Sequence, residues 1–259
     1  MKKLYFEGDK EKEKLKIDIQ TLKYLQKKQI PQSKAFLHSN NFTVFFSGMN
    51  QSKKNIGVML DGFCLFAEKH RDSKLILVVH SKMKEIFGMK VVSDYDITDL
   101  YSWRKHLDQI KIVDRRMSDE ELLDIYKISD VLLSASIGEG FGLFALEAMA
   151  TETVPILTDY SAFIELPDEE AMFRIPVSAY QRSEWNVKRA IVSQENVANQ
   201  LEKAYNVWKN NPERWHELQQ KNLKKVKKYS WKDCATAIEK YLDDLAEGNE
   251  IVDSKVRRL

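Results

Sequence analysis

The apolar positions of this chain show two textures. Up to about residue 41 charged residues dominate, and the apolar ones are spaced out. Ile19, Leu22 and Leu25 recur at helical intervals within 15–29, which predicts an amphipathic helix ending before Pro31. From Phe42 onward, short continuous apolar runs alternate with longer amphipathic stretches. FTVFF (42–46), LILVV (75–79), IKIV (110–113), VLLSAS (131–136) and VPILT (154–158) read as buried strands, and a further short strand is expected near Met172–Ile175. Between them, IGVMLDGFCLFAEKH (56–70) reads as a helix with a broad apolar face. A loosely helical stretch is expected over 96–107. Ser118 and Glu121 form a capping box for DEELLDIYKI. From Gln194 to Leu245 the pattern is helical, with Pro212 suited to one helix start and Ser230 to a cap before Trp231.

Strands that are apolar throughout, alternating with helices, predict an α/β fold: a doubly wound parallel sheet, Rossmann-like, with helices on both faces. Three parts are expected: a charged helical segment over 1–41, the α/β domain over 42–193, and C-terminal helices over 194–259 packed on the same domain. Ligands in such sheets bind beyond the carboxyl ends of the strands. Gly48–Asn55, Asp114–Met117, Ser136–Gly142 and Asp159–Ser161 each follow a strand, so they should gather on one edge.

Composition narrows the functional classes. Hydrophobic residues make up 43% of the 259, enough for a real core. The formal net charge of +2 is too small to argue for a nucleic-acid partner. Lys221, Lys224, Lys225, Lys227 and Lys228 form the one basic cluster. A solvated helix face explains it; the alternative is a patch resting on an anionic membrane, a peripheral contact. Cys64 and Cys234 lie far apart inside helical patterns and read as reduced, half-buried residues of a cytoplasmic protein. The opening MKKLYFEGDKEKEK has no apolar core of a secretory signal, and no run is long enough to span a bilayer. The five histidines show no ligand spacing with Cys or Asp, so no metal site is expected, and no cofactor is expected either. His80 stands out among them, because it follows a strand and would face the cleft.

The candidate chemistry lies in EGFGLFALE (139–147). Glu139 and Glu147 bracket Gly140 and Gly142 where a strand gives way to a helix. Glycines let a phosphate approach the backbone, and the free amides of a helix start point at it. The spacing of Gly138, Gly140 and Gly142 is G-x-G-x-G rather than G-x-G-x-x-G, with Leu143 at the third-glycine position, which argues against a dinucleotide fingerprint. Glu147 lies roughly 9 Å along the helix from its first turn, at about 1.5 Å per residue. Its side chain leans back toward the helix start. Glu147 could therefore reach a ribose while the helix start holds a diphosphate, and Glu139 could face a sugar beyond it. A bland reading stays open beside this one: a carboxylate near a helix N-terminus and a surface glutamate.

EGFGLFALEAMATETVPILTDYSAFIE resembles the E-x7-E region of retaining glycosyltransferases of the GT-B fold, family 4. The resemblance extends from about Phe42 to Leu245. It includes the strand, Gly48, loop and Lys54-Asn55 segment, SDEELLDIYKISDVLLSAS, and KKYSWKDCA near the end. It implies that Gly140, Phe141, Gly142 and Leu143 present amides to the donor phosphates and that Glu147 binds the nucleotide ribose. It further implies that Glu139 lies near the donor hexose and that Lys54 neutralises the diphosphate leaving group. Gly48 and Lys53 would flank that lysine, and Arg115, Arg116 and Met117 would border the base. Neither a divalent metal nor a protein nucleophile is implied.

Two departures from the family pattern stand out. An arginine usually follows the glycine of the first loop; here that position is Met49, and Lys53 offers a point charge in place of an arginine's fork. A GT-B enzyme also has two Rossmann-like halves, and everything recognisable here belongs to the second, donor-binding half. The expectation is a hexosyltransferase half that binds a nucleotide sugar and needs a partner chain, or a lost first half, for the acceptor. The rival expectation is a non-catalytic nucleotide-sugar-binding or regulatory module.

Overall fold

The computed structural model describes residues 41–80, 84–86, 89–91, 105–106, 108–114, 116–166, 170–183 and 186–247. The expected N-terminal helix, most of the 96–107 stretch, Arg115 and Trp185 lie outside the described residues, as does the side chain of His80. Six strands form one parallel sheet. They are β1 (Phe42–Met49), β2 (Ser73–His80), β5 (Ile110–Asp114), β6 (Val131–Ser134), β7 (Val154–Thr158) and β8 (Phe173–Ile175). Their spatial order is β5-β2-β1-β6-β7-β8. The chain thus winds outward from β1 through β2 to β5, returns to β6 on the other side of β1, and winds outward again. The strand order reverses between β1 and β6, where Val44 pairs with Val131 and Phe45 with Leu132.

Alternate residues of these strands feed two cores, as the period of a strand requires. Phe42, Val44 and Phe46 of β1 face one core, together with Leu75, Leu77, Leu133 and Ile156. Phe45, Ile76, Leu132 and Leu157 face the other. The first core is covered by α1 (Ile56–Ala67), α4 (Gln194–Asn210) and α5 (Pro212–Val226). The second is covered by α2 (Asp119–Ile128) and α3 (Leu143–Ala150). A Cβ on Gly62 would stand 2.5 Å from Val197 Cβ and 2.9 Å from the Gln194 carbonyl, so glycine is what lets α4 approach α1. The capping box of α2 is formed, with Ser118 accepting from the Glu121 amide and Glu121 from the Ser118 amide. Ser193 and Ser230 cap α4 and α6 (Trp231–Ala246) through their side chains alone, accepting from the Asn196 and Asp233 amides.

Three features depart from the sequence pattern. β9 (Ala179–Arg182) and β10 (Lys188–Ile191), which follow β8 in the chain, form a small antiparallel hairpin separate from the main sheet, and β3 (Lys84–Ile86) pairs with β4 (Met89–Val91) as a second. Cys64 is buried and Cys234 exposed, rather than both half-buried. The C-terminal helices do not form one packed unit. α4 and α5 lie on the sheet, whereas α6 buries no side chain. Its apolar positions meet no covering layer among the described residues: Trp231 is 80% exposed, and Ile238, Tyr241, Leu242 and Leu245 are exposed with it. Trp208 and Trp215 instead pack against Phe42 beneath α4 and α5. In the basic cluster, Lys221 is paired with Glu170 at 2.6 Å. No helix among the described residues is long and apolar enough to cross a membrane.

Candidate functional site

The two loops at the reversal of strand order meet. After β1 the chain makes a 3-10 turn over Ser52–Lys54, and the left-handed Asn55 leads into α1. After β6 it runs through Ser136–Gly142 into α3. The Ile137 amide donates to the Lys53 carbonyl (2.9 Å), which ties one loop to the other. This places Lys54 Nζ 2.5 Å from Glu139 Oε1, although 85 positions separate them. Both side chains are largely shielded, at 11% and 8% exposure. Ser136 Oγ donates to the same carboxylate oxygen (2.9 Å). Ser161, left-handed after β7, brackets the backbone of Glu139: its hydroxyl donates to the carbonyl (2.6 Å) and accepts from the amide (3.2 Å). Glu139 is thus held at one carboxylate oxygen and along its backbone.

Lys54 also lies near the start of α3, with Nζ 4.8 Å from the Phe144 ring centroid. That helix has no side-chain cap. Gly142 occupies the N-cap in the left-handed region (φ 86°); its carbonyl accepts from the Ala145 amide (2.9 Å), and no side chain caps the Leu143 and Phe144 amides, which are left to solvent or to a ligand. The glycines differ in what they permit. A Cβ on Gly142 would come within 2.7 Å of buried Phe163, whereas a Cβ on Gly140 would meet nothing within 4 Å. Gly140 therefore borders open space beside the ion pair, and Phe141 and Leu143 on either side of Gly142 are exposed. An uncapped helix start and bare backbone favour an anion, and Lys54, already paired with Glu139, lies beside them.

Glu147 sits one turn into α3, about 6 Å along it rather than the expected ~9 Å because the helix starts only at Leu143. Its Oε2 accepts from the Tyr126 hydroxyl (2.9 Å). Burial, and then the Glu147 charge, hold that phenol far above its usual range, so it stays a donor. Glu147 and Tyr126 line a cleft of about 330 Å³ between α2 and α3, with Asp119, Leu122, Leu123, Ala150 and Thr151. Carboxylate acceptors at the rim of an apolar cleft suit a ligand with hydroxyls on one side and a flat apolar part on the other. Of the loop after β5, Arg116 is exposed, and Met117 turns its side chain into the core (7% exposed), so it can offer a ligand only backbone. Gly48 underlies Lys54, its added Cβ lying 3.7 Å from Lys54 Cε. Met49 is 39% exposed at the end of β1.

The structure therefore brings Lys54 and Glu139 together, and sets Glu147 apart on the flank of the same helix. Sequence reasoning missed Tyr126, Ser136 and Ser161, which hold the two glutamates. The capping pattern before Tyr126 placed its helix, but its contact with Glu147 depends on how two helices pack.

Residues 26–225 match the family described as Glycosyl transferases group 1. The mannosylfructose-phosphate synthase of Agrobacterium fabrum is 28% identical over 116 residues, which is 43% of this chain and 24% of that protein. The C-terminal domain of a glycosyl transferase group 1 family protein from Francisella tularensis superposes with a TM-score of 0.56 at 17% identity. The match covers 87% of this chain and 95% of that domain. An Anabaena protein, HepE, whose structure is a complex with UDP and glucose, has a TM-score of 0.61 at 14% identity, covering 86% of this chain and 51% of its own. The chain thus spans about a quarter of the synthase and about half of the Anabaena protein, but nearly all of an isolated C-terminal domain.

Proposed function

Since the chain belongs to the glycosyl transferases group 1 family, we propose that it is the donor-binding half of a nucleotide-sugar-dependent glycosyltransferase. It transfers a hexose to a glycan, lipid or protein acceptor with retention of configuration, in the manner of family 4. The observation that carries this reading is the Lys54–Glu139 pair at the reversal of strand order, beside the uncapped start of α3 and the open space at Gly140.

The donor diphosphate lies against the backbone of Gly140–Leu143, within reach of Lys54. As the glycosidic bond breaks, negative charge grows on the leaving diphosphate. Lys54 and the α3 amides are in place to stabilise it, which is the role a divalent metal would otherwise fill. Glu139, held by Ser136 and Ser161, faces the hexose. Glu147, held by Tyr126, accepts hydrogen bonds from the ribose hydroxyls, and the loop at Arg116 and Met117 borders the base. The acceptor-binding half comes from a partner chain or from the remainder of a longer protein. The exposed apolar face of α6 is the contact surface we assign to it.

A second reading, a nucleotide-sugar-binding module without transfer, is favoured by one observation: the β1 loop carries apolar Met49 where the resemblance implies an arginine. Calorimetric titration with uridine and guanosine diphosphate sugars tests the donor site common to both readings. One saturable equivalent per chain is expected; no binding across the panel overturns it. Addition of the acceptor-binding half then separates the readings, because only the enzyme releases nucleoside diphosphate.

A further inference from the structure

The β9–β10 hairpin reaches back to the motif loop. The Ala190 amide donates to the Ile137 carbonyl (3.1 Å), and the Tyr160 hydroxyl donates to the Lys188 carbonyl (2.9 Å). This anchoring lays Arg189 over Gly138. A Cβ there would stand 2.6 Å from Nη1 and 3.6 Å from Cδ, so only glycine leaves room for the guanidinium. Arg189 is half-buried. Among the described residues its guanidinium has no hydrogen bond and no ion pair. A partly desolvated guanidinium with no acceptor is costly unless an anion completes it. Its neighbour in the loop, Glu139, is already paired with Lys54 and Ser136. The pair at the head of the site is therefore close to neutral, and a diphosphate carries more than one negative charge.

We propose that Arg189 is a second cation of the donor site and binds the diphosphate of the nucleotide sugar, reaching it from the hairpin across Gly138. This rests on the donor-site reading above. The planar fork of arginine can hold two phosphate oxygens at once, which a lysine cannot. Lys53, the other candidate, gives its carbonyl to Ile137, and its ammonium is not held against the motif loop by any hydrogen bond among the described residues.

The test uses the whole chain and titrates UDP, GDP, UMP and GMP by calorimetry. Arg189→Met keeps the stem over Gly138 but removes the fork. It should weaken the nucleoside diphosphate on the order of tenfold, as expected for a lost charge-assisted contact, and the monophosphate much less. Gly138→Ala reaches the same end from the other side, since its Cβ displaces the far end of a flexible side chain. It should reproduce the loss while the thermal midpoint stays near that of the wild type. Wild-type diphosphate affinity in Arg189→Met, or an equal loss for mono- and diphosphates, would overturn the assignment. A wild-type chain that binds none of the four nucleotides would overturn the donor-site reading itself, and this assignment with it.

Discussion

Gly140 and Gly142 are two positions apart, yet alanine should act on them in opposite ways. At Gly142 the backbone is left-handed (φ 86°, ψ 50°). An alanine there costs roughly 1–2 kcal/mol from the clash of its Cβ with the backbone. The same Cβ would stand 2.7 Å from Phe163 Cε1 and 3.3 Å from Cδ1, where ordinary contact begins near 3.4 Å. Phe163 is fully buried, so it cannot swing into solvent, and forcing a core to accommodate a methyl costs about 1–3 kcal/mol. The two terms together give about 2–5 kcal/mol. For a domain of this size that is a fall in thermal midpoint of roughly 4–20 °C. At Gly140 neither term applies: no atom lies within 4 Å of the added Cβ, and the backbone is not left-handed. Alanine there should be neutral, or stabilising by up to about 1 kcal/mol through the unfolded chain. On the proposed donor site it should nevertheless weaken nucleotide binding, because its methyl would stand in the open space assigned to the diphosphate. Thermal and urea unfolding followed by circular dichroism, with calorimetry on the same samples, reads both effects. The reasoning is refuted if Gly142→Ala melts within a degree of the wild type, or if Gly140→Ala melts as early as Gly142→Ala.

Two further outcomes follow from buried polar groups. Asp130 accepts from the Thr43 amide (2.7 Å) and from Trp208 Nε1 (3.0 Å), but burial still raises its carboxyl from 3.8 to about 6. A raised carboxyl holds a proton in the folded chain that the unfolded chain has released. Its contribution is therefore complete below pH ~3.8 and lost as pH rises through ~6, by an amount on the order of 1–3 kcal/mol. Urea midpoints between pH 4 and 7 should show Asp130→Asn gaining on the wild type as pH rises; parallel curves would contradict this. Tyr126→Phe should cost about 1 kcal/mol for the lost hydrogen bond and release Glu147, lowering donor affinity severalfold. If donor affinity is unchanged, Tyr126 does not position Glu147.

Much of the fold could be read from the chain because β1, β2, β6 and β7 carry continuous apolar runs that are buried, and β5 a shorter one interrupted by Lys111. The hairpin β9–β10 escaped the same reasoning. AYQR is exposed at all four positions, so no hydrophobic pattern marks it as a strand. With the hairpin went Arg189, whose place over Gly138 depends on one backbone hydrogen bond to Ile137. The candidate site was legible in outline, since the loops carrying Lys54 and Glu139 both follow strands and were expected on one edge. Lys54 stood out through its loop and Glu139 through its glycines, but their contact arises from the strand order, which a pattern of apolar runs does not specify. The exposure of α6 was not legible either, since an amphipathic stripe looks the same in sequence whether or not it is covered.

The central claim is that Lys54 and Glu147 serve one bound nucleotide sugar, at its diphosphate and its ribose. The most direct measurement is the affinity of the donor nucleotide for the wild type, Lys54→Ala and Glu147→Ala, with thermal midpoints confirming that each variant is folded. The account predicts a loss of tenfold or more in each variant, as for a charge-assisted contact. Unchanged affinity in both would contradict it.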